Sequence, residues 1–461
     1  MAEGILGDIA AAKRSEIRGR FDGVSIDALR ATAIPTSRSL ESALARPGAR
    51  FILEIKKASP SAGAIRAGAD PASLARGYSG VADALSVLTD SRFFAGGLQD
   101  LRAARPEFDG PILAKDFFLD PRQVVEARIA GADAVLVMLS LVDDPTARTL
   151  IAEARRLGMD SLVEVHDERE MRRGVALGAP LIGINNRDFR ALSVDLSTTE
   201  RLAPFALGRL LVAESGISNR GDIDRLAGSV DAFLIGSSLM RASDPAQASR
   251  ELLFGRVKLC GLNRAEDIVA GQAASFAGFV FVPESPRCRP AEEIAPLAVQ
   301  ARRAGILPVG VFRDAPPDVV ADIAASLDLH SVQLHGREDG EYITALRRKL
   351  DSKCELWTAV SADRGPLYRE GGDRLVFDNG SGGTGRSFDW RVLSGHPGLA
   401  RSVVAGGIGP ANAHQAAALG AYSIDVGSAV DSEPGRKCPA RTRDLFDALR
   451  PQARAEFRAC A

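Results

Sequence analysis

Sixteen short β-rich apolar runs recur along this chain, and stretches of helical composition separate them. The first eight are 51–57, 84–90, 111–117, 134–140, 160–166, 181–187, 209–216 and 232–238. The pattern then restarts at 256–262, 276–282, 307–312, 331–336, 355–360, 374–379, 401–407 and 423–429. Between the runs lie Ala/Leu/Arg/Glu stretches such as 122–130 and 145–157. Strands that alternate with helices pair in parallel. Eight such units in about 200 residues fit one closed barrel. The chain therefore reads as α/β, with two consecutive (β/α)8 (TIM) barrels. The boundary falls near 241–254, where Asp244-Pro245 interrupts before the next strand, which gives domains 1–254 and 255–461.

Composition narrows the function classes. Of 461 residues, 46% are hydrophobic and 25% charged, enough apolar material for large cores. The formal net charge is -1 and no long basic run occurs, which argues against nucleic acid or an anionic membrane as partner. The first twenty residues have no apolar core of a signal peptide, and no apolar run is long enough to span a bilayer. Cys260, Cys288, Cys354, Cys438 and Cys460 are scattered, without a CxxC or Cys/His cluster. Neither a disulfide framework nor a zinc site is expected, and the compartment reads as the reducing cytoplasm. Nothing suggests a metal, nucleotide or prosthetic group.

The strand ends carry the chemistry. The run from Phe51 begins apolar and ends in charge. Alternation puts Glu54 and Lys56 on one face and Lys57 on the other. Lys115-Asp116 end the third run, Glu164 the fifth, Asn185 and Arg187 the sixth, and Glu214-Ser215 the seventh. Barrel closure would bring these ends to one rim. Lysines among glutamates compensate each other's charge and shift each other's pKa, as acid–base chemistry requires. The small residues of Glu214-Ser-Gly-Ile217 and Gly236-Ser-Ser238 let backbone N–H groups approach a phosphate at the last two strand ends.

Glu54-Ile-Lys-Lys-Ala-Ser-Pro-Ser61, Lys115-Asp-Phe117, Glu164-Val-His166, Ile184-Asn-Asn-Arg187 and Glu214-Ser-Gly-Ile217 resemble, in order, the motifs of indole-3-glycerol phosphate synthase. That family closes the indole ring of 1-(2-carboxyphenylamino)-1-deoxyribulose 5-phosphate with loss of carbon dioxide and water. The resemblance implies Lys115 as general acid and Glu164 as general base of the dehydration. Lys56 would hold the substrate carboxylate, and Glu54, Asn185 and Glu214 would position the reacting centre. Ser59, Ser215, Gly216, Gly236 and Ser237 would hold the phosphate, and Arg187 would contact substrate or serve structurally. Phe94, Phe117 and Phe118 are candidates to pack on the anthranilate ring, or simply core.

The second half has fewer charged strand ends. Cys260 alone also reads as a buried small hydrophobe, His335 as a structural histidine and Asp378 as a turn cap. Together, Val257-Lys-Leu-Cys-Gly261, Ser285-Pro-Arg287, Gln333-Leu-His-Gly336, Phe377-Asp378, Gly382-Gly-Thr-Gly385 and Ala405-Gly-Gly-Ile408 resemble phosphoribosylanthranilate isomerase. That family performs an Amadori rearrangement of N-(5-phosphoribosyl)anthranilate. The resemblance implies Asp378 as general acid on the furanose ring oxygen. Cys260 would be the general base that takes the C2′ proton, provided positive charge or a dipole lowers its pKa. Arg287 would face the anthranilate carboxylate. His335 is placed among the substrate-binding residues, with Gly383, Gly407, Gly427 and Ser428 around the phosphate. The chain departs from many relatives at Gly427-Ser-Ala-Val-Asp431, where they read Ser-Ser-Gly-Val-Glu, and at Cys438, where they have an acid.

The combined expectation is a bifunctional enzyme of tryptophan biosynthesis, both lyase and isomerase. It takes small anthranilate sugar-phosphates, needs no cofactor and acts as a monomer. Two alternatives stay open. One barrel could be a binding or scaffold module, or the pair could be other sugar-phosphate barrels, such as those of histidine biosynthesis, which use paired aspartates.

Overall fold

The computed structural model describes residues 5–60, 63–188, 193–362, 368–379 and 387–454. The chain divides into two compact units, one of residues 1–246 with 451–461 and one of residues 247–450.

The first unit is a closed, all-parallel barrel of β1 (Arg50–Ile55), β2 (Ala84–Leu88), β3 (Ile112–Lys115), β4 (Ala134–Met138), β5 (Asp160–Val165), β6 (Leu181–Asn185), β7 (Leu210–Glu214) and β8 (Ala232–Ile235). Each strand pairs with its neighbours in sequence, and β8 closes on β1. The strands are apolar nearly throughout because helices cover their outer faces. Several helices start where an Asp or Asn accepts from an otherwise orphaned N–H. Asp120 caps Pro121–Ile129, Asp143 caps Asp144–Arg156, Asp167 caps Glu168–Ala176, and Asn219 caps Arg220–Leu226. Phe51 and Phe233 lie opposite each other in the β1–β8 register and stack at 5.8 Å. The returning segment joins this unit. Pro451 accepts from the Ala49 N–H at 3.0 Å, and Arg454 pairs with Asp231 at 3.1 Å.

The second unit repeats the architecture with β9 (Val257–Cys260), β10 (Phe276–Val280), β11 (Leu307–Phe312), β12 (Ser331–Leu334), β13 (Glu355–Ser361), β14 (Arg374–Asp378), β15 (Val403–Val404) and β16 (Ser423–Val426). Phe276, Val309, Trp357, Val376 and Val403 form a buried cluster, with Phe276 edge-on to Trp357 at 5.2 Å.

Every expected strand exists, but many end earlier than the sequence runs suggest. The run 401–407 contains only the two-residue strand β15, because Gly406 and Gly407 both turn to positive φ. Two short hairpins, Ala58–Ser59 with Gly63–Ala64 and Asp431–Glu433 with Arg436–Lys437, lie outside the barrels and were not expected. Among the described residues, no helix is long and apolar enough to cross a membrane.

Candidate active sites

The C-terminal ends of β1 to β8 surround a cavity of about 340 Å³. Glu54, Lys56, Ser59, Lys115, Glu164, Asn185, Arg187, Ser215, Gly216, Gly236 and Ser237 all line it. Glu214 does not; it is fully buried. Alternation along β1 works as the sequence suggests. Lys56 turns back to Glu54 at 2.5 Å, while Lys57 pairs with Asp100 on the helix Leu98–Ala104 at 2.7 Å.

Lys115 organises the centre. Its ammonium donates to Glu214 Oε2 at 2.8 Å and lies 3.3 Å from Glu54 Oε2. Burial disfavours its charge, but Glu214, Glu54 and Glu164 outweigh that and raise its pKa well above the ordinary lysine value. Burial pushes Glu54 up, yet the charges of Lys56 and Lys115 hold it down at about 2. Glu214 sits at about 7, because burial and repulsion from Glu164 and Glu54 exceed the pull of Lys115. One carboxylate beside the lysine is thus firmly ionised, and the other titrates near neutrality.

Glu164 Oε1 accepts from Asn185 Nδ2 at 3.0 Å and lies 3.1 Å from His166 Nε2. Burial raises its pKa, but the adjacent His166, with Lys115 and Asn185, brings it below the ordinary value. Two glycines make room for the carboxylates. A Cβ on Gly183, opposite Glu164 in the β5–β6 register, would stand 2.0 Å from Glu214 Oε1. A Cβ on Gly236 would stand 2.3 Å from Glu54 Oε1. Burial and then the Arg241 charge push the Arg187 guanidinium down. Phe94 and Phe117 line the cavity, with ring centroids 6.0 Å apart, whereas Phe118 is buried away from it. The buried Lys13 of the helix Ile5–Arg20 pairs with Asp90 at 2.7 Å and Asp116 at 2.8 Å, fixing the loops after β2 and β3.

In the second barrel a cavity of about 310 Å³ is lined by Cys260, Arg287, His335, Asp378, Gly407, Gly427 and Ser428. Gly383 lies outside the described residues. Asp425 also lines this cavity; it and the buried Lys258 are cross-strand partners in register, and their side chains meet at 2.7 Å. Burial pushes the Cys260 thiol above its ordinary value, and the charges of Lys258 and Lys437 offset only part of this. Burial therefore disfavours the thiolate that the motif implies. Burial likewise pushes His335 down towards the neutral ring, although Asp378 opposes it. Arg287 pairs with Asp431 Oδ2 at 3.0 Å, and Asp431 also accepts from Lys437 at 2.6 Å. The departure from Glu at this position thus keeps a working carboxylate.

Sequence reasoning passed over His166, Arg241, Lys258, Arg313 and Asp425. His166 and Lys258 stood inside the quoted motifs, two residues from Glu164 and Cys260 and so on the same strand face. Arg241 and Arg313 line the two cavities from outside any motif.

Comparison with known proteins agrees with this arrangement. The family described as indole-3-glycerol phosphate synthase matches residues 6–252. The family described as N-(5'-phosphoribosyl)anthranilate (PRA) isomerase matches residues 257–448. The tryptophan biosynthesis protein TrpCF of Salmonella typhi is 40% identical over 97% of this chain and 99% of its own. Those of Yersinia pestis and Vibrio cholerae are each 43% identical, over 87% and 90% of this chain and 84% and 89% of theirs. The chain belongs to the bifunctional tryptophan-biosynthesis family in which an indole-3-glycerol phosphate synthase barrel precedes a phosphoribosylanthranilate isomerase barrel.

Proposed function

We propose that the two barrels perform consecutive reactions, the second barrel, as isomerase, making the substrate of the first, the synthase. Each step rests on a proton donor and acceptor that are distant in the chain yet line one cavity, and this juxtaposition carries the reading.

In the second barrel Asp378 protonates the furanose ring oxygen of N-(5-phosphoribosyl)anthranilate. The C1′–O bond breaks and leaves a protonated Schiff base. Cys260, as thiolate, takes the C2′ proton, and the resulting enolamine tautomerises to the ribulose ketone. Because burial opposes the thiolate, Lys258 and the incoming cationic Schiff base supply the compensating charge. Arg287 faces the anthranilate carboxylate, and His335 contributes to substrate binding. Gly407, Gly427 and Ser428 surround the phosphate.

In the first barrel Lys56 holds the substrate carboxylate, and Lys115 gives a proton to the ribulose carbonyl. The aromatic carbon that bears the carboxylate attacks the carbonyl carbon, and loss of carbon dioxide restores aromaticity. Lys115, reprotonated, then assists departure of the hydroxyl as water while Glu164 removes the proton that completes the indole. Glu54 and Glu214 keep Lys115 charged in a buried site, where a fixed cation stabilises developing negative charge more strongly than in water. Asn185 orients Glu164. Ser59, Ser215, Gly216, Gly236 and Ser237 hold the phosphate, and Arg187 contacts the substrate. Each cavity draws its residues from one barrel, which supports a monomer, and this biosynthetic role fits the cytoplasm.

Feeding phosphoribosylanthranilate to the purified chain tests the reading. Anthranilate-type fluorescence should change first, and indole absorbance should follow without added protein. A chain that stops at the first product has only one working barrel.

A further inference from the structure

We propose that His166 is a positioning residue of the synthase site, occupying Glu164 Oε1 so that Oε2 is the oxygen that takes the substrate's proton. The inference rests on the role proposed above for Glu164.

Four observations carry it. First, the two oxygens of Glu164 are not equivalent. Oε1 accepts from Asn185 Nδ2 at 3.0 Å and has His166 Nε2 at 3.1 Å as an ion-pair contact that lacks hydrogen-bond alignment. Oε2 is buried without a hydrogen-bond partner among the described residues, on a side chain that lines the cavity. Second, the imidazole is held from behind. Its Nδ1 lies 3.1 Å from Glu170 Oε2, and the same oxygen accepts the His166 backbone N–H at 2.9 Å. Glu170 stands in the first turn of the helix Glu168–Ala176, itself capped by Asp167, so the ring is fixed by a rigid element. Third, a ring with a carboxylate at each nitrogen carries both protons. Burial pushes His166 down, but Glu164 and Glu170 together lift it to about 10. Fourth, His166 does not line the cavity, so it acts through Glu164 and not on substrate.

The charges around Glu164 make the effect directional. Lys115 from β3 and His166, one residue past the end of β5, favour the carboxylate, Asn185 from β6 bonds it, and burial opposes it. Glu214 from β7 repels Glu164, and Glu170 partly neutralises the imidazolium. Removing the imidazolium leaves Lys115, already shared with Glu214 and Glu54, as the cation that favours ionised Glu164. The Glu164 pKa must then rise, and the base form is reached only at higher pH.

The test is the pH profile of kcat/KM for indole formation, with 1-(2-carboxyphenylamino)-1-deoxyribulose 5-phosphate supplied directly to the full chain. His166→Gln keeps a side-chain N–H for Oε1 but no charge; His166→Ala keeps neither. Both should move the acid limb upward by about one pH unit or more, the usual effect of losing an adjacent opposite charge. His166→Gln should keep the higher kcat of the two. The isomerase rate of the same samples reports a folded chain. An acid limb that stays at the wild-type position in both variants overturns the proposal. Glu164→Gln separates this from failure of the underlying reading. If that variant still forms indole, Glu164 is not the base and both ideas fall. If it is inactive while the His166 variants keep the wild-type limb, only the role of His166 falls.

Discussion

Lys115 and Glu214, on strands four positions apart in the eight-strand ring, meet across the first barrel at 2.8 Å. A cation and a carboxylate can persist in so buried a place only because each offsets the desolvation of the other. Replacing Glu214 with Gln removes one anion and leaves Glu54, at 3.3 Å, as the closest carboxylate to the ammonium. The lysine pKa then falls, so its acid form is lost at lower pH. We expect indole formation to drop about a hundredfold, typical of a weakened general acid. The alkaline limb of its pH profile should move down. A reduced rate with an unmoved alkaline limb would mean that Glu214 serves packing alone.

Lys258 and Asp425 make the corresponding ion pair beside Cys260. Lys258→Met takes away a cation that opposes the burial of the thiol. The thiol pKa rises further, and the thiolate needed as base forms only at higher pH. The acid limb of isomerase kcat/KM should therefore move upward. Asp425 loses its buried cation and keeps the Gln333 amide at 3.4 Å, so the second barrel should lose about 3 kcal/mol in urea unfolding. Isomerase activity with a wild-type acid limb would remove Lys258 from the account.

Gly236 gives a steric prediction. Because a methyl group there would stand 2.3 Å from Glu54 Oε1 and 2.9 Å from its Cβ, Gly236→Ala must displace Glu54 and with it Lys56 and Lys115. Indole formation should fall by about 100-fold, the scale of a 1 Å misplacement at a reacting centre. Isomerisation, carried by the other barrel, should continue. Steady-state assays of both reactions on one preparation decide it.

Cys438 offers a gain. It occupies the N-cap of the helix Pro439–Leu449 with extended backbone and makes no side-chain capping bond. Cys438→Asp would supply the missing acceptor and a favourable charge at a helix N-terminus. A stabilisation of about 1 kcal/mol is expected in urea unfolding of the second barrel. No gain would show that the cap geometry is already satisfied in another way.

Both barrels were legible in the sequence because short continuous apolar runs and the helical spacers between them are local signals. The strand ends were less so. The runs 111–117 and 181–187 overran β3 and β6, since residues that leave the ladder to line a cavity keep strand-like composition. The resemblances named most lining residues, but not how they pair. That Lys258 meets Asp425, or that Gly183 makes room for Glu214, depends on register between strands far apart in sequence. His166 was visible within its motif. Its contact with Glu170 gave no signal, because that bond forms only once the chain turns into the helix Glu168–Ala176. The two hairpins were missed because each strand has only two or three residues.

The central claim is that two independent acid–base sets serve two reactions in one chain. Glu164→Gln and Asp378→Asn, assayed separately and then mixed, test it most directly. Separately, the first should isomerise phosphoribosylanthranilate without forming indole. The second should form indole only when given the rearranged substrate. Mixed, they should carry phosphoribosylanthranilate through to indole-3-glycerol phosphate. Loss of both reactions in either folded variant, or a mixture that fails to complete the sequence, would contradict the account.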